Sequence, residues 1–268
     1  MPEGHTIHRL ARDHATWFAG RPVAVSSPQG KFAGADQVDG RLLESTDAYG
    51  KHLFHHYEGA AIVHVHLGLF GKFFQRGVPA PPPRDTVRMR LVTDEHCVDL
   101  TGATACDLLT PGDVDAIVAR LGPDPLRPDA DPERGWQAIQ RRSIGIGRAL
   151  MDQKVLAGVG NVYRAEVLYV HGIHPEVPCP QVTHDQWQAM WDTLVEWMRY
   201  GARHNRIVTT DPAEIGRPRS RMTRDQRVHV YRREHCRRCG TEVRRWDLAG
   251  RWGYACETCQ PRPRAADR

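Results

Sequence analysis

The chain has 268 residues, 26% of them charged and 40% hydrophobic, with a formal net charge of +5. That length allows one large or two modest domains. No apolar run approaches the roughly 20 residues needed to cross a bilayer, which excludes a helical membrane protein and points to a soluble, intracellular one.

The chain opens MPEGH, with no charged start followed by an apolar run, so a secretory leader is not expected. Pro2 and Glu3 suit the first turn of a helix. If the methionine is removed, Pro2 also carries a free secondary amine. Apolar residues then recur at Ile7, Leu10, Ala11, Trp17 and Phe18, with Gly20 as a stop, and predict a first helix. From Pro22 to about Leu109 the pattern changes to short β-prone runs: PVAVSS, RLLESTDAY, KHLFHHY, AIVHVHL, VRMRLV and HCVDL. Glycine or polar turns separate them, as in an antiparallel sandwich or barrel. PGDVDAIVARLG reads as a short helix.

The stretch 122–135 holds Pro123, Pro125, Pro128 and Pro132 and is the linker candidate. Beyond it the pattern is helical. LMDQKVLAGVGNVYRAEVL (150–168) predicts a helix running into Gly158-Val159-Gly160, then a second helix with Asn161 as its N-cap. Amide groups at such a helix start hold anions, and Lys154 lies beside the turn. Thr183 and Gln186 form a capping box before a helix with Trp187, Met190, Trp191, Leu194 and Met198 on its apolar face. Residues 205–227 are polar, arginine-rich and pattern-free, and read as a mobile loop.

Charge and cysteine usage add chemistry to this outline. From Arg199 onward 18 arginines face 8 acids, whereas residues 1–198 carry 19 basic and 24 acidic residues. A basic tail of that size predicts a polyanionic partner. Four of the seven cysteines form two CxxC knuckles, Cys236/Cys239 and Cys256/Cys259, with sixteen residues between Cys239 and Cys256. That spacing places four thiolates around one structural zinc ion on a β-hairpin. Arg251 falls near the hairpin tip, within reach of a phosphate. Cys97, Cys106 and Cys179 read as buried thiols.

Only four of the 37 basic residues are lysines: Lys31, Lys51, Lys72 and Lys154. Where arginine serves for plain charge, a lysine marks a need for a compact ammonium. Lys51 and Lys154 are singled out on that ground. His64 and His66 alternate along a strand and face one way, as phosphate contacts or satisfied core histidines. Gly68, Leu69 and Phe70 form a turn whose apolar residues either pack inward or wedge a duplex open.

Taken in order, the PEG start, GKHL at 50–53, HLGLFG at 66–71, AGVGNVYRAE at 157–166 and the zinc hairpin resemble the formamidopyrimidine-DNA glycosylase and endonuclease VIII family. The match spans nearly the whole chain. The resemblance implies an α+β fold: an N-terminal antiparallel β-sandwich with a leading helix (1–121), a linker (122–135), a helix-two-turn-helix domain (136–227), a zinc finger (228–262) and a disordered tail (263–268). It implies DNA bound in the cleft between the domains.

It further implies that the Pro2 amine attacks C1′ of a damaged nucleotide, with Glu3 as acid and base on the sugar. A model α-amine is roughly one-third neutral at pH 7.5, a lysine about 0.1%. By the same resemblance, Lys51 joins Pro2 and Glu3 in the catalytic set, Lys51, Asn161 and Arg251 hold phosphates with Lys154 assisting, His66 is a DNA contact, and Gly68, Leu69 and Phe70 fill the void left by a flipped base. The implied protein is a bifunctional glycosylase and AP lyase with one structural zinc. It acts as a monomer on damaged duplex DNA in the bacterial cytoplasm, associated with the nucleoid, and single-stranded DNA is left open as a further partner.

The 8-oxoguanine branch of the family begins PELPE and carries an Arg-Arg-Phe cluster. Here the start is PEGHT, and the matching stretch, DLTGATACDLLTP, has neither arginine nor phenylalanine. Both features resemble the oxidised-pyrimidine branch. Thr6 departs from the glutamate common to both branches, which leaves details of the pocket open. The alternatives are 8-oxoguanine or formamidopyrimidine excision, and a non-catalytic zinc-ribbon protein that binds nucleic acid.

Overall fold

A computed structural model of the chain describes residues 2–263. All but the first residue of the expected tail at 263–268 lies outside them, as does Met1. Two compact units follow one another along the chain, dividing between Arg120 and Leu121.

The first unit opens with helix α1 (Gly4–Phe18), whose inward face carries Ile7, Ala11, His14 and Phe18. Two antiparallel sheets follow. One has the order β1-β3-β4-β5-β9, from Arg21–Pro22, Leu42–Tyr49, His52–Tyr57, Ala61–His66 and Ala105–Leu109. The other has the order β2-β7-β8-β6, from Ala24–Ser26, Val87–Val92, Cys97–Thr101 and Lys72–Arg76. A short helix α2 (Ala35–Val38) lies between β2 and β3. Alternation explains the layering: Val63 and Val65 of β5 join Leu53 of β4 and Met89, Leu91, Val98 and Leu100 of the second sheet in one core. His64 and His66 of β5 point the other way. Helix α3 (Pro111–Val118) closes the unit behind a capping box of Thr110 and Asp113.

Strands β6 and β9 lack a clear apolar alternation and exist through their partners, β8 and β5. The Asp99 carboxylate on β8 accepts from Arg90 Nε on β7 at 2.6 Å and from Arg76 Nε on β6 at 2.8 Å, and so ties three strands together.

The second unit packs α4 (Pro132–Gln140), α5 (Ile146–Ala149), α6 (Asn161–Val170) and α7 (His184–His204) around one core. The capping box of Thr183 and Gln186 starts α7, and its five predicted apolar residues are all buried. Helix α4 begins within the stretch read as a linker, capped by Asp131. That stretch is fastened to the unit by Gly122 N–H donating to Gln153 O (2.8 Å) and Ala157 N–H donating to Pro123 O (3.0 Å). Residues 205–227 carry helix α8 (Pro212–Ile215) and two single turns. These rest on hydroxyl bonds rather than on an apolar period: Thr209 Oγ1 donates to Arg227 O and Thr210 Oγ1 to Gln226 O.

Strands β10 (Arg244–Asp247) and β11 (Trp252–Ala255) form the C-terminal hairpin. Its Ala249-Gly250 turn has φ of 55° and 75°, the left-handed pair that matches the twist of a tight hairpin. Glu166 on α6 anchors the lead-in to this hairpin. Fully buried, it accepts bonds from Thr209 Oγ1 (2.7 Å) and from the amides of His229 (2.6 Å), Val230 (2.9 Å) and Tyr231 (2.8 Å).

Candidate active site and phosphate-contacting residues

Glu3 is the N-cap of α1, with extended backbone and no exposed surface; its side chain does not cap the helix. Pro2, half-buried, immediately precedes it. Three bonds fix where this end lies. Gly20 N–H donates to Leu43 O at 2.8 Å, the Thr46 hydroxyl donates to Ala11 O, and His14 Nδ1 meets His55 Nε2 at 2.9 Å. The helix therefore runs back along β3 toward Tyr49. At about 1.5 Å per helical and about 3.3 Å per strand residue, Ala11 to Gly4 and Thr46 to Tyr49 both span ~10 Å. The start of α1 thus lies level with the two-residue turn Gly50-Lys51. Gly50 takes φ 57° there, which presents the half-buried Lys51.

The same end of the sheet carries the other candidates of this unit. His52, next to Lys51, pairs in register with His66, and the turn 67–71 follows. Gly71 N–H donates to Leu67 O at 2.9 Å, and Thr104 N–H to His66 O at 2.9 Å. A Cβ on Gly68, whose φ is 63°, would meet Thr104 Oγ1 at 1.9 Å, and one on Gly71 would meet Leu67 O at 2.3 Å. This tight seating lifts Leu69 and Phe70 outward, 46% and 80% exposed. Of the two readings of these residues, the structure has the exposed one.

Sequence reading missed the extent of the histidine chemistry. His52 Nδ1 lies 2.9 Å from His64 Nε2, and His64 faces Asp107 across β9 at 4.0 Å. Burial first, then neighbouring histidines, lowers His52 to about 3; burial lowers His64 to about 4 despite Asp107. Burial and then Lys51 lower His66 as well. These rings are neutral near pH 7, so the positive charge at this edge comes from Lys51 and Arg120. The pattern HLFHH–HVH held the signal, since residues two apart on paired strands share a face.

In the second unit the structure corrects two expectations. Residues 151–160 form turns instead of a helix running into Gly158. The Gln153 amide donates to Met151 O and Val159 O and accepts from Gly158 N–H, while Asp152 accepts from Lys154 N–H. Such local side-chain bonds compete with helical ones. Asn161 is the first residue of α6, and Gly160 is the N-cap. The Asn161 side chain instead donates from Nδ2 to Trp252 O at 3.2 Å and accepts from Arg164. Lys154 is exposed on the turn, and Arg251 is exposed beside the hairpin tip.

Cys236, Cys239, Cys256 and Cys259 converge, with all four sulfur atoms within 4.8 Å of one another. The contacts are 3.8 Å (Cys236–Cys259), 3.4 Å (Cys239–Cys256) and 3.6 Å (Cys239–Cys259). Four sulfurs about 2.3 Å from a tetrahedral zinc ion would stand ~3.8 Å apart, so the set fits one metal ion. Tyr169 Oη lies 3.1 Å from Cys236 Sγ, where a hydrogen bond to the sulfur would hold its orientation toward such an ion. The other thiols are buried, and burial pushes Cys106 up to about 12 and Cys179 up to about 11, as suits inert thiols.

Residues 1–104 match the formamidopyrimidine-DNA glycosylase N-terminal domain, and residues 121–212 the formamidopyrimidine-DNA glycosylase H2TH domain. Endonuclease 8 1 of Mycobacterium bovis is 48% identical over 267 residues, covering 97% of this chain and all of its own. The chain belongs to the formamidopyrimidine-DNA glycosylase/endonuclease VIII family. A probable endonuclease 8 2 of Streptomyces coelicolor is 33% identical over 282 residues, covering 100% of this chain and 98% of its own. The solved structure of Lactococcus lactis Fpg with DNA containing N7-benzyl-Fapy-dG has the same fold, at TM-score 0.79 and 21% identity over 97% of this chain and 100% of that one.

As a member of the formamidopyrimidine-DNA glycosylase/endonuclease VIII family, the protein is a DNA glycosylase and AP lyase of base-excision repair. Pro2, Glu3, Lys51, His66, Gly68, Leu69 and Phe70 fall within the first matched segment and Lys154 and Asn161 within the second. Arg251 and the four cysteines lie beyond both. Among the described residues no helix is long and apolar enough to cross a membrane.

Proposed function

We propose that the protein removes oxidised pyrimidines from damaged duplex DNA through a Schiff base on Pro2, then cleaves the strand by β,δ-elimination. The observation that carries this reading is the place of Pro2 and the buried Glu3 at the start of α1, level with the Lys51 turn. A helix N-terminus bears about half a positive charge. An ammonium ion there is disfavoured, and Lys51 adds to the effect, so the processed Pro2 amine is kept neutral and nucleophilic.

The nitrogen lone pair attacks C1′ as the bond to the base breaks, and the base leaves with a proton. Glu3 moves protons on the sugar as its ring opens to the iminium. Loss of a C2′ proton then expels the 3′ phosphate, and a second elimination expels the 5′ phosphate. Lys51, His66, Asn161 and Arg251 hold the phosphates around the lesion, with Lys154 assisting. Leu69 and Phe70 occupy the stack when the base is flipped. The four cysteines hold one zinc ion, which with four protein ligands has no open position and serves the hairpin alone.

The choice of oxidised pyrimidines is supported by the connection from β8 to β9. It is three residues long, Gly102–Thr104. It has no room for a second void-filling loop, which leaves that task to the turn bearing Leu69 and Phe70.

Borohydride trapping on duplexes with one dihydrouracil or one 8-oxoguanine tests the reading, followed by mass mapping of the cross-linked peptide. A cross-link at the processed Pro2, stronger with dihydrouracil and lost in Glu3→Gln, is expected. No cross-link with either lesion, despite DNA binding and methionine removal, refutes the Schiff base. Stronger trapping with 8-oxoguanine refutes the lesion class alone.

A further inference from the structure

Two side chains of α6, far from the hairpin in sequence, meet at the carbonyl of Trp252. Arg164 Nη2 donates to it at 2.7 Å, and Asn161 Nδ2 donates to it at 3.2 Å. Arg164 Nη2 also donates to Asn161 Oδ1, and its Nη1 to Gly147 O at 3.3 Å. Arg164 is 1% exposed and Asn161 6%. Trp252 opens β11 and directly follows Arg251.

An asparagine amide has two orientations that exchange its oxygen and nitrogen. The guanidinium against Oδ1 permits only one, and it turns Nδ2 toward the hairpin. One Nδ2 hydrogen goes to Trp252 O, and the second has no partner among the described residues. The same guanidinium reaches from Gly147 on α5 to the first residue of β11. A lysine ammonium, as a single point, cannot span those acceptors as a planar fork does.

We infer that Arg164 is a positioning residue that locks the Asn161 amide and sets the register of the hairpin on α6. Asn161 and Arg251 then meet one DNA backbone as a preassembled pair. The inference rests on the reading of Asn161 and Arg251 as phosphate contacts. It adds a dependence between them: the value of Arg251 to binding exists only while Arg164 holds the strand that carries it. Preorganisation of this kind removes an ordering cost at the moment of binding.

A double-mutant cycle tests this on the full zinc-loaded chain, with a duplex containing a tetrahydrofuran abasic analogue as probe. Arg251→Ala should weaken binding about tenfold, as loss of one charged hydrogen bond does. In an Arg164→Met background it should weaken binding less than about twofold, the signature of coupled residues. Arg164→Met should itself lower the slope of log affinity against log salt by about one, although its own charge is buried away from DNA. Arg164→Lys should recover only part of the loss. In turnover the effect should fall on KM, with kcat at saturating DNA little changed.

Multiplicative losses in a double variant that retains zinc would overturn the inference. If neither Arg251→Ala nor Asn161→Ala changes binding, it is the phosphate reading that fails. Should Arg164→Met lose zinc or unfold, side-chain amide NMR of the unmutated protein decides the matter. One Asn161 Nδ2 proton, the one bonded to Trp252 O, is expected to exchange with solvent far more slowly than in a free asparagine in the absence of DNA, and exchange of both protons at the free rate would overturn the inference.

Discussion

Replacing Glu166 with alanine should destabilise the second unit severely, because this side chain answers for three backbone amides. His229, Val230 and Tyr231 donate to it at 2.6–2.9 Å, and the Thr209 hydroxyl is a fourth donor. His229 and Val230 are buried, as is Glu166 itself. A buried donor left without a partner costs about 1–3 kcal/mol. Three of them, with partial relaxation and some water entry, give a loss on the order of 4 kcal/mol. For a unit of this size about 2–4 °C is lost per kcal/mol, so the melting temperature should fall by ~8–16 °C. Glu166→Gln should cost about half as much, because one oxygen remains while the new NH2 group faces donors.

Calorimetry gives the shift, and hydrogen exchange at residues 229–231 locates it. Those amides should exchange far faster in the alanine variant while the sandwich core keeps its protection. A fall of less than about 3 °C with unchanged protection at 229–231 would refute the reasoning.

Metal removal and acid should each act through a separate set of residues. Cys256→Ser, or chelation of the unmutated chain, should release the metal and weaken DNA binding at least tenfold, since a hairpin of two four-residue strands has little core of its own. Retention of binding without metal, checked by elemental analysis, would refute the zinc-hairpin reading. Acid should unfold the first unit early. Burial lowers His5, His52 and His55 to about 3, with His14 well below its usual value, whereas an unfolded histidine titrates near 6.5. Between those values the unfolded chain binds more protons, so stability is full above about pH 6.5 and falls as the pH drops below it. Each such histidine contributes a slope of up to about 1.4 kcal/mol per pH unit. Urea midpoints that stay level from pH 7 to pH 5 would contradict this.

What the sequence disclosed follows from how locally each feature is encoded. Helix α7 could be read because its capping box and apolar stripe lie within its own residues. The cysteine knuckles could be read because ligand spacing carries their geometry, and the Gly50-Lys51 turn because two β-prone runs flank it. Helix α6 was found but given the wrong cap. Asn161 is a good N-cap by type, yet its side chain is claimed by Arg164 and by Trp252, 91 residues away. The expected helix before Gly158 is undone by the bonds of Gln153. Nothing in the sequence marks Glu166 or Arg164 as buried, and only the folded neighbourhood shows them so. The His14–His55 pair links residues 41 apart through a helix-on-sheet contact that no periodicity announces.

The anchoring of α1 has a practical consequence. Chain ends usually fray, but this one is bonded to β3 and β4 along its length and has Glu3 wholly covered. Its ordering is completed in folding, so nothing remains to be immobilised when DNA arrives. An affinity handle fused ahead of Pro2 would turn its amine into an amide and leave it without the lone pair that the proposed attack on C1′ needs.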